Sequence, residues 1–159
     1  MNTLTLADLT HRTGLDVLDH LERDVTVPIG VGPQSQGDLI VVPLAVVADD
    51  VTVLWNARWR TVPPAGVPLL RGTAGGNTHP RRRPRTCEWT TEVNDRHLLA
   101  LGVLRANAPV YLLHREHGAS GVAAGTYVVR RQREATAATG ITTTSSGRAG
   151  WSAVTLVAD

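Results

Sequence analysis

This chain of 159 residues contains no lysine and no phenylalanine, and it holds only one cysteine, one methionine and two tyrosines. Each shortage excludes something. A single cysteine, Cys87, rules out a disulfide within the chain and suits a reducing compartment. No apolar run approaches the ~20 residues needed to span a bilayer, and the N-terminus lacks the basic-then-apolar order of a secretion signal. The expected setting is the cytoplasm, with no membrane partner. Aromatic residues make up 4% of the chain, so its core must be built from Val, Leu and Ala. Val-rich segments fit a pleated sheet better than a helical bundle. The use of Arg for every basic side chain fits a GC-rich coding bias and is not in itself a phosphate-binding signature.

Strong net charge is also lacking. A formal charge of +2 is too small to imply nucleic acid. Its distribution is more informative. Residues 1–50 carry two Arg against eight acids, a net of −6, and residues 51–150 carry fourteen Arg against five acids, a net of +9. Such segregation can support head-to-tail association or domain docking, or be incidental.

The length gives one domain by default. Residues 3–24 read as helical, with Leu4, Leu6 and Leu9 before Thr13-Gly14, and Leu15, Leu18 and Leu21 after it. Thr13 is expected to cap the second segment, with Asp16 in its first turn. The opening is similar to the first helices of a helix-turn-helix module. VTVPIGVGPQSQGD follows, however, where a recognition helix should stand. A packing or docking helix pair over residues 1–24 is the reading. The glycines of residues 30–37 lack the Lys-Ser/Thr ending of a phosphate loop.

Residues 38–47 read as the strongest strand, bent or placed at an edge by Pro43. Further strands are expected over 51–55, 67–71, 86–91 and 98–104, with Cys87 and Trp89 on one face. Trp55 and Trp59 are expected to cover a core edge. Residues 135–150 have linker composition. Residues 151–159, opening on Trp151, regain strand character and can add to a sheet edge of this chain or of a neighbour, a device for strand exchange.

Residues 108–134 organise the rest. They read as strand, turn, strand: Val110, Leu112, His114 and Glu116 point one way, Tyr111 and Leu113 the other. Both faces are apolar as far as His114, so this strand is expected between two layers. His117-Gly118-Ala119-Ser120-Gly121 supplies turn chemistry. Residues 126–129 form the returning strand, and its tail, Arg130, Arg131, Gln132, Arg133 and Glu134, is expected to leave the core for water or a partner.

His114, Glu116 and His117, joined by His79 from another segment, form the candidate site. Imidazole and carboxylate can hold zinc, iron or manganese, so a divalent transition metal is the cofactor under consideration. The glutamate beside two histidines can instead act as a general base. The structural alternative is that these side chains cap the hairpin by bonding to backbone. Arg81, Arg82, Arg83 and Arg85, with Arg130, Arg131 and Arg133, offer an interaction surface. Nucleic-acid contact is a weaker reading there, because no aromatic residue interrupts the first run.

The combination of Gln36-Gly37-Asp38, then GTAGGNTH ending at His79, then His114-Arg115-Glu116-His117-Gly118, then GTYVVRRQRE ending at Glu134 resembles an uncharacterised prokaryotic family of small β-rich proteins over about residues 36–134. The resemblance implies a β domain and no particular activity. Where that family often has Gly-His-x-His, this chain has Gly76-Asn77-Thr78-His79, so only the second histidine is kept. Where the family often has Pro-Pro-Gly-Thr-Tyr, this chain has Ala123-Ala124-Gly125-Thr126-Tyr127. The layout is also cupin-like, although the cupin motif is absent.

The expected fold is mainly β: an antiparallel roll, barrel or sandwich with a short helical N-terminal segment. Two functions compete. One is a non-enzymatic module that self-associates as a homo-oligomer through its N-terminal segment, basic loops and C-terminal strand. The other is a cupin-like metal or small-ligand-binding domain, with an enzyme among its forms. Incomplete ligands at the second favour the first.

Overall fold

The computed structural model describes residues 3–69, 86–132 and 154–159. In chain order its elements are α1 (Leu6–Thr13), β1 (Ile29–Gly30), β2 (Gln34–Gln36), β3 (Leu39–Pro43), a 3-10 turn over Leu44–Val47, β4 (Val51–Val53), β5 (Arg60–Thr61), β6 (Val67–Pro68), β7 (Cys87–Thr90), β8 (Val93–Asp95), β9 (Ala100–Ala106), β10 (Val110–His114), β11 (Gly118–Val122), β12 (Gly125–Arg131) and β13 (Val154–Ala158). Five strands form one sheet in the order β1-β11-β10-β13-β6, and six form a second in the order β2-β3-β12-β9-β7-β5. β4 and β8 pair separately as a two-stranded ribbon. All pairings are antiparallel except that of β1 with β11.

Period-two alternation builds three cores from these strands. Val110, Leu112 and Leu156 of the five-stranded sheet meet Val41, Leu104, Tyr127 and Val129 of the six-stranded sheet in the central core. The opposite side chains of the first sheet, Tyr111, Leu113 and Val157, pack under Leu4, Leu6, Leu9 and Val17. The opposite side chains of the second, Val103 and Val128, pack under Val51, Val53 and the 3-10 turn. The molecule is therefore a stack of four layers: N-terminal segment, sheet, sheet, and an outer lobe centred on the β4–β8 ribbon. A strand with both faces apolar, as β10 was read to be, sits where such a strand must, between two layers.

The mainly β fold agrees with the sequence reading, but the barrel does not. Neither sheet closes on itself; β2, at the end of the six-stranded sheet, meets β11 of the other through side chains instead of a backbone ladder. Gln36 Nε2 donates to the Gly118 carbonyl at 3.0 Å, and Gln34 Nε2 donates to the Gly121 carbonyl at 2.9 Å. The architecture is a sandwich.

Four local expectations also change. Val110–Leu113 does not pair with Tyr127–Val129. β10 turns back at once into β11, with Val110 opposite Val122 and His114 opposite Gly118, while β12 crosses to the other sheet. Gly118-Ala-Ser-Gly121 looks like a turn because its residues are small. At Gly121 the reason for smallness is crowding: a Cβ there would lie 2.9 Å from the Pro28 carbonyl oxygen and 3.1 Å from Ile29.

β13 is not an edge strand either. It lies between β10 and β6, with Leu156 opposite both Leu112 and Val67. All five of its residues are buried.

Only the first expected helix forms. Thr5 caps it through a reciprocal pair of bonds with Asp8, and Gly14 ends it at φ 68°. Thr13 closes this helix, its hydroxyl donating to the Leu9 carbonyl at 2.8 Å and accepting the Leu15 N–H at 3.2 Å, and no second helix follows: the Leu18 amide donates to the Arg115 carbonyl at 3.0 Å.

Candidate functional site

The β10–β11 turn, residues 115–117, carries Glu116 and His117 in exposed positions and leaves His114 buried at the strand end. The His114 Nδ1 accepts the backbone N–H of Glu116 at 3.1 Å and of His117 at 3.2 Å. An acceptor cannot also hold a proton, so the ring is the Nε2–H tautomer. The His117 Nδ1 lies 3.2 Å from the same atom, and the rings meet edge to face at 4.5 Å. Burial lowers the His114 pKa below 6.5, and the neighbouring His117 lowers it further, against opposing pulls from Glu116 and Asp38.

On its other side, the ring packs on Gly37. That residue has φ 57°, and a Cβ there would lie 2.9 Å from the His114 Cδ2. Gln132 anchors the same corner, its backbone N–H donating to the Asp38 carbonyl at 2.9 Å and its side-chain Nε2 to the Gly37 carbonyl at 3.4 Å. Three separated stretches of sequence, Gln36-Gly37-Asp38, His114 to Gly118, and the end of β12, thus meet at one place. Packing explains the meeting: a left-handed glycine makes room for a ring that caps a turn.

The structure brings together His114 and His117 from the candidate set. Glu116 contributes its backbone amide, while its side chain stays exposed. His79 lies outside the described residues, as do Arg81, Arg82, Arg83, Arg85, Arg133 and Trp151. Among the described residues, no group of three or more His, Cys, Asp or Glu side chains can hold a metal ion. Cys87 is part of the central core; burial, reinforced by Glu88, pushes its thiol up to about 12. His114 alone of the candidate set bonds through its side chain to the turn backbone; the His117 side chain meets only the His114 ring among the contacts of the described residues.

A second polar cluster was not foreseen. Asp95 is 5% exposed, under the outer lobe. Its carboxylate accepts the backbone N–H of His97 at 2.9 Å, Leu99 at 3.0 Å and Ala100 at 2.7 Å, and the Arg130 guanidinium at 3.2 Å. Burial works to raise its pKa, but these donors outweigh it and the carboxyl titrates below 3.8. Arg130 therefore does not leave the core for water, as expected of the β12 tail. A register shift in β12 between Val129 and Arg130 accompanies its placement beside Asp95. Arg131, next in the strand, is exposed. No spacing in the sequence connects Asp95 to residue 130.

The outer lobe carries a third feature. Arg105 stacks on the Trp59 ring at 4.0 Å and pairs with Glu88 at 2.7 Å. Trp59 thus covers a core edge as expected, whereas Trp55, at the tip after β4, is 97% exposed.

A family model described as Domain of unknown function (DUF8820) matches residues 35–132. The match runs from within β2 to just past β12, leaving α1, β1 and β13 outside. No curated protein and no solved structure gives a significant match. No helix among the described residues is long and apolar enough to cross a membrane.

Proposed function

We propose that this chain, which belongs to the Domain of unknown function (DUF8820) family, is a non-enzymatic module that works by self-association. The observation that carries this reading is Trp55. A side chain with a very large apolar surface stands 97% exposed at the tip of the outer lobe, and Leu98 of the same lobe is 87% exposed. Tryptophan is the residue type most enriched at the energetic centres of interfaces. Bonding at the histidine pair favours the same reading, because the His114 acceptor nitrogen is engaged by the turn it caps.

The surfaces differ from those the sequence pointed to. β13 and the apolar side of the N-terminal segment pack within the chain. Association then uses the outward side of that segment and the outer lobe.

The test is sedimentation velocity on the full untagged chain over about a hundredfold range of concentration. The weight-average mass is expected to rise above the 17.0 kDa of one copy. A mass fixed at one copy throughout contradicts the proposal.

A further inference from the structure

The β4–β8 ribbon carries exposed apolar side chains at both ends. Its antiparallel register sets Val51 opposite Asp95 and Val53 opposite Val93. Leu54 and Trp55 therefore follow the Val53–Val93 end, and Leu98 follows the Val51–Asp95 end; all three are exposed. Between the ends, Thr52 and Asn94 stand opposite each other and exposed, while Val51 and Val53 turn inward on the sheet.

Leu98 is strained where it stands. Its N–H donates to the Asp95 carbonyl at 3.0 Å, closing a tight turn, and its φ of 56° is the only positive value at a non-glycine residue among the described residues. A Cβ is disfavoured in that conformation, which such turns usually assign to Gly or Asn. The Asp95 carboxylate fixes the residues on either side by accepting the His97 and Leu99 N–H groups. An aliphatic side chain held in a disfavoured conformation and left 87% exposed points to a contact outside its own chain.

The charge pattern selects the partner. At the Trp55 end, Arg58 is exposed and its backbone N–H donates to the Glu92 carboxylate at 3.0 Å. At the Leu98 end, Arg96 and His97 lie 3.7 and 3.5 Å from the Asp50 carboxylate, and Asp49 is exposed beside it in sequence. Both ends thus carry both signs, and the lobe offers no excess of one sign to a strongly charged partner. It is complementary to itself when turned end for end: Trp55 then faces Leu98, Arg58 faces Asp49, and Arg96 faces Glu92.

We infer that two copies of this chain pair lobe to lobe about a two-fold axis passing near Thr52 and Asn94, with Trp55 of each copy seated against Leu98 of the other. This inference rests on the self-association proposed above and gives it a stopping point. An isologous contact uses the same patch on both copies, so assembly ends at two. Trp55 and Leu98 provide the affinity, and the charges set the end-for-end orientation.

Sedimentation velocity and cross-linking of the full untagged chain test the inference. The parent mass should level off at twice the 17.0 kDa of one copy. Leu98→Asn removes the aliphatic side chain and supplies a residue that tolerates positive φ. It should weaken pairing about tenfold or more, with no fall in the urea midpoint of dilute single copies. For the orientation, Asn56→Cys and His97→Cys place thiols next to Trp55 and Leu98 while keeping both; positions 56 and 97 are exposed, and the native Cys87 is buried. Mixed under mild oxidation, these two variants should cross-link about tenfold faster than either alone, because the axis brings position 56 of one copy to position 97 of the other.

A parent that stays at one copy at every concentration sinks the self-association reading and this inference with it. A parent that assembles overturns the two-fold contact alone if it grows past two copies, or if Leu98→Asn pairs as tightly or is less stable. Cross-linking no faster in the mixture than in the separate variants does the same.

Discussion

The turn at His114 and the turn at Asp95 solve one problem with different chemistry. Each places a buried side chain where a strand reverses, and each uses it to accept backbone N–H groups that the sheet leaves unpaired. Asp95 accepts three, and a fourth donor comes from the Arg130 guanidinium. His114 accepts two, and the His117 ring adds a third contact. The carboxylate is held ionised well below neutrality, while the imidazole is held neutral. One turn is therefore locked at any physiological pH, and the other is locked only while a single nitrogen remains unprotonated. A polar cluster under a lobe or at a strand end can thus be structural throughout, whichever titratable residues compose it.

The largest expected effect lies at the first turn. Asp95→Ala should cost about 3–5 kcal/mol in chemical denaturation, because Arg130 is left without its countercharge under the lobe. A loss below about 1 kcal/mol would mean that solvent reaches Arg130 and that the contrast with His114 is false.

Next comes the support of the second turn. Gly37→Ala should cost about 2 kcal/mol, from a left-handed backbone that disfavours a Cβ and from contact with the His114 ring. A double-mutant cycle with His114→Ala separates the two contributions: the steric part should vanish and the backbone part should remain. Full additivity would show that the two residues do not touch.

The smallest effect concerns pH. The His114 pKa in the fold lies below the 6.5 of free imidazole, so as pH falls the unfolded chain binds the proton first. The stabilisation is complete above 6.5 and is lost as pH drops through that value toward the lower folded one. The Asp95 contribution has the opposite origin and a lower window, being present above 3.8 and lost as pH falls further. Urea midpoints at about pH 7.5 and about pH 5.5 should therefore differ more in the parent than in His114→Asn, whose amide oxygen can accept the same bonds without titrating. Equal shifts in the two proteins would remove His114 as the source.

Much of the scaffold was legible because aliphatic alternation has one cause. Val110 to Leu113, and Cys87 with Trp89, were placed correctly from period-two spacing alone. What misled was small residues. Residues 118–121 look like a turn, yet form a strand crowded by Ile29 and the Pro28 carbonyl. Side-chain bridges between sheets were equally invisible, since no spacing rule links Gln36 to Gly118, and without them an open sandwich reads as a barrel. At the candidate site, the His114 and His117 rings meet, but the hydrogen bonds that make His114 a cap come from its own neighbours' backbone. Arg130 was misplaced because its partner is 35 residues away in sequence, and a charged tail with no visible partner is naturally read as solvated.

The claim that the His114 nitrogen belongs to the turn can be tested directly by long-range proton–nitrogen correlation spectra of the imidazoles, recorded with and without added zinc. The account predicts a neutral His114 with its proton on Nε2, an unprotonated Nδ1 that persists below pH 6.5, and resonances that zinc leaves in place. A proton on Nδ1, or a His114 signal that moves together with His117 on stoichiometric zinc, would contradict it.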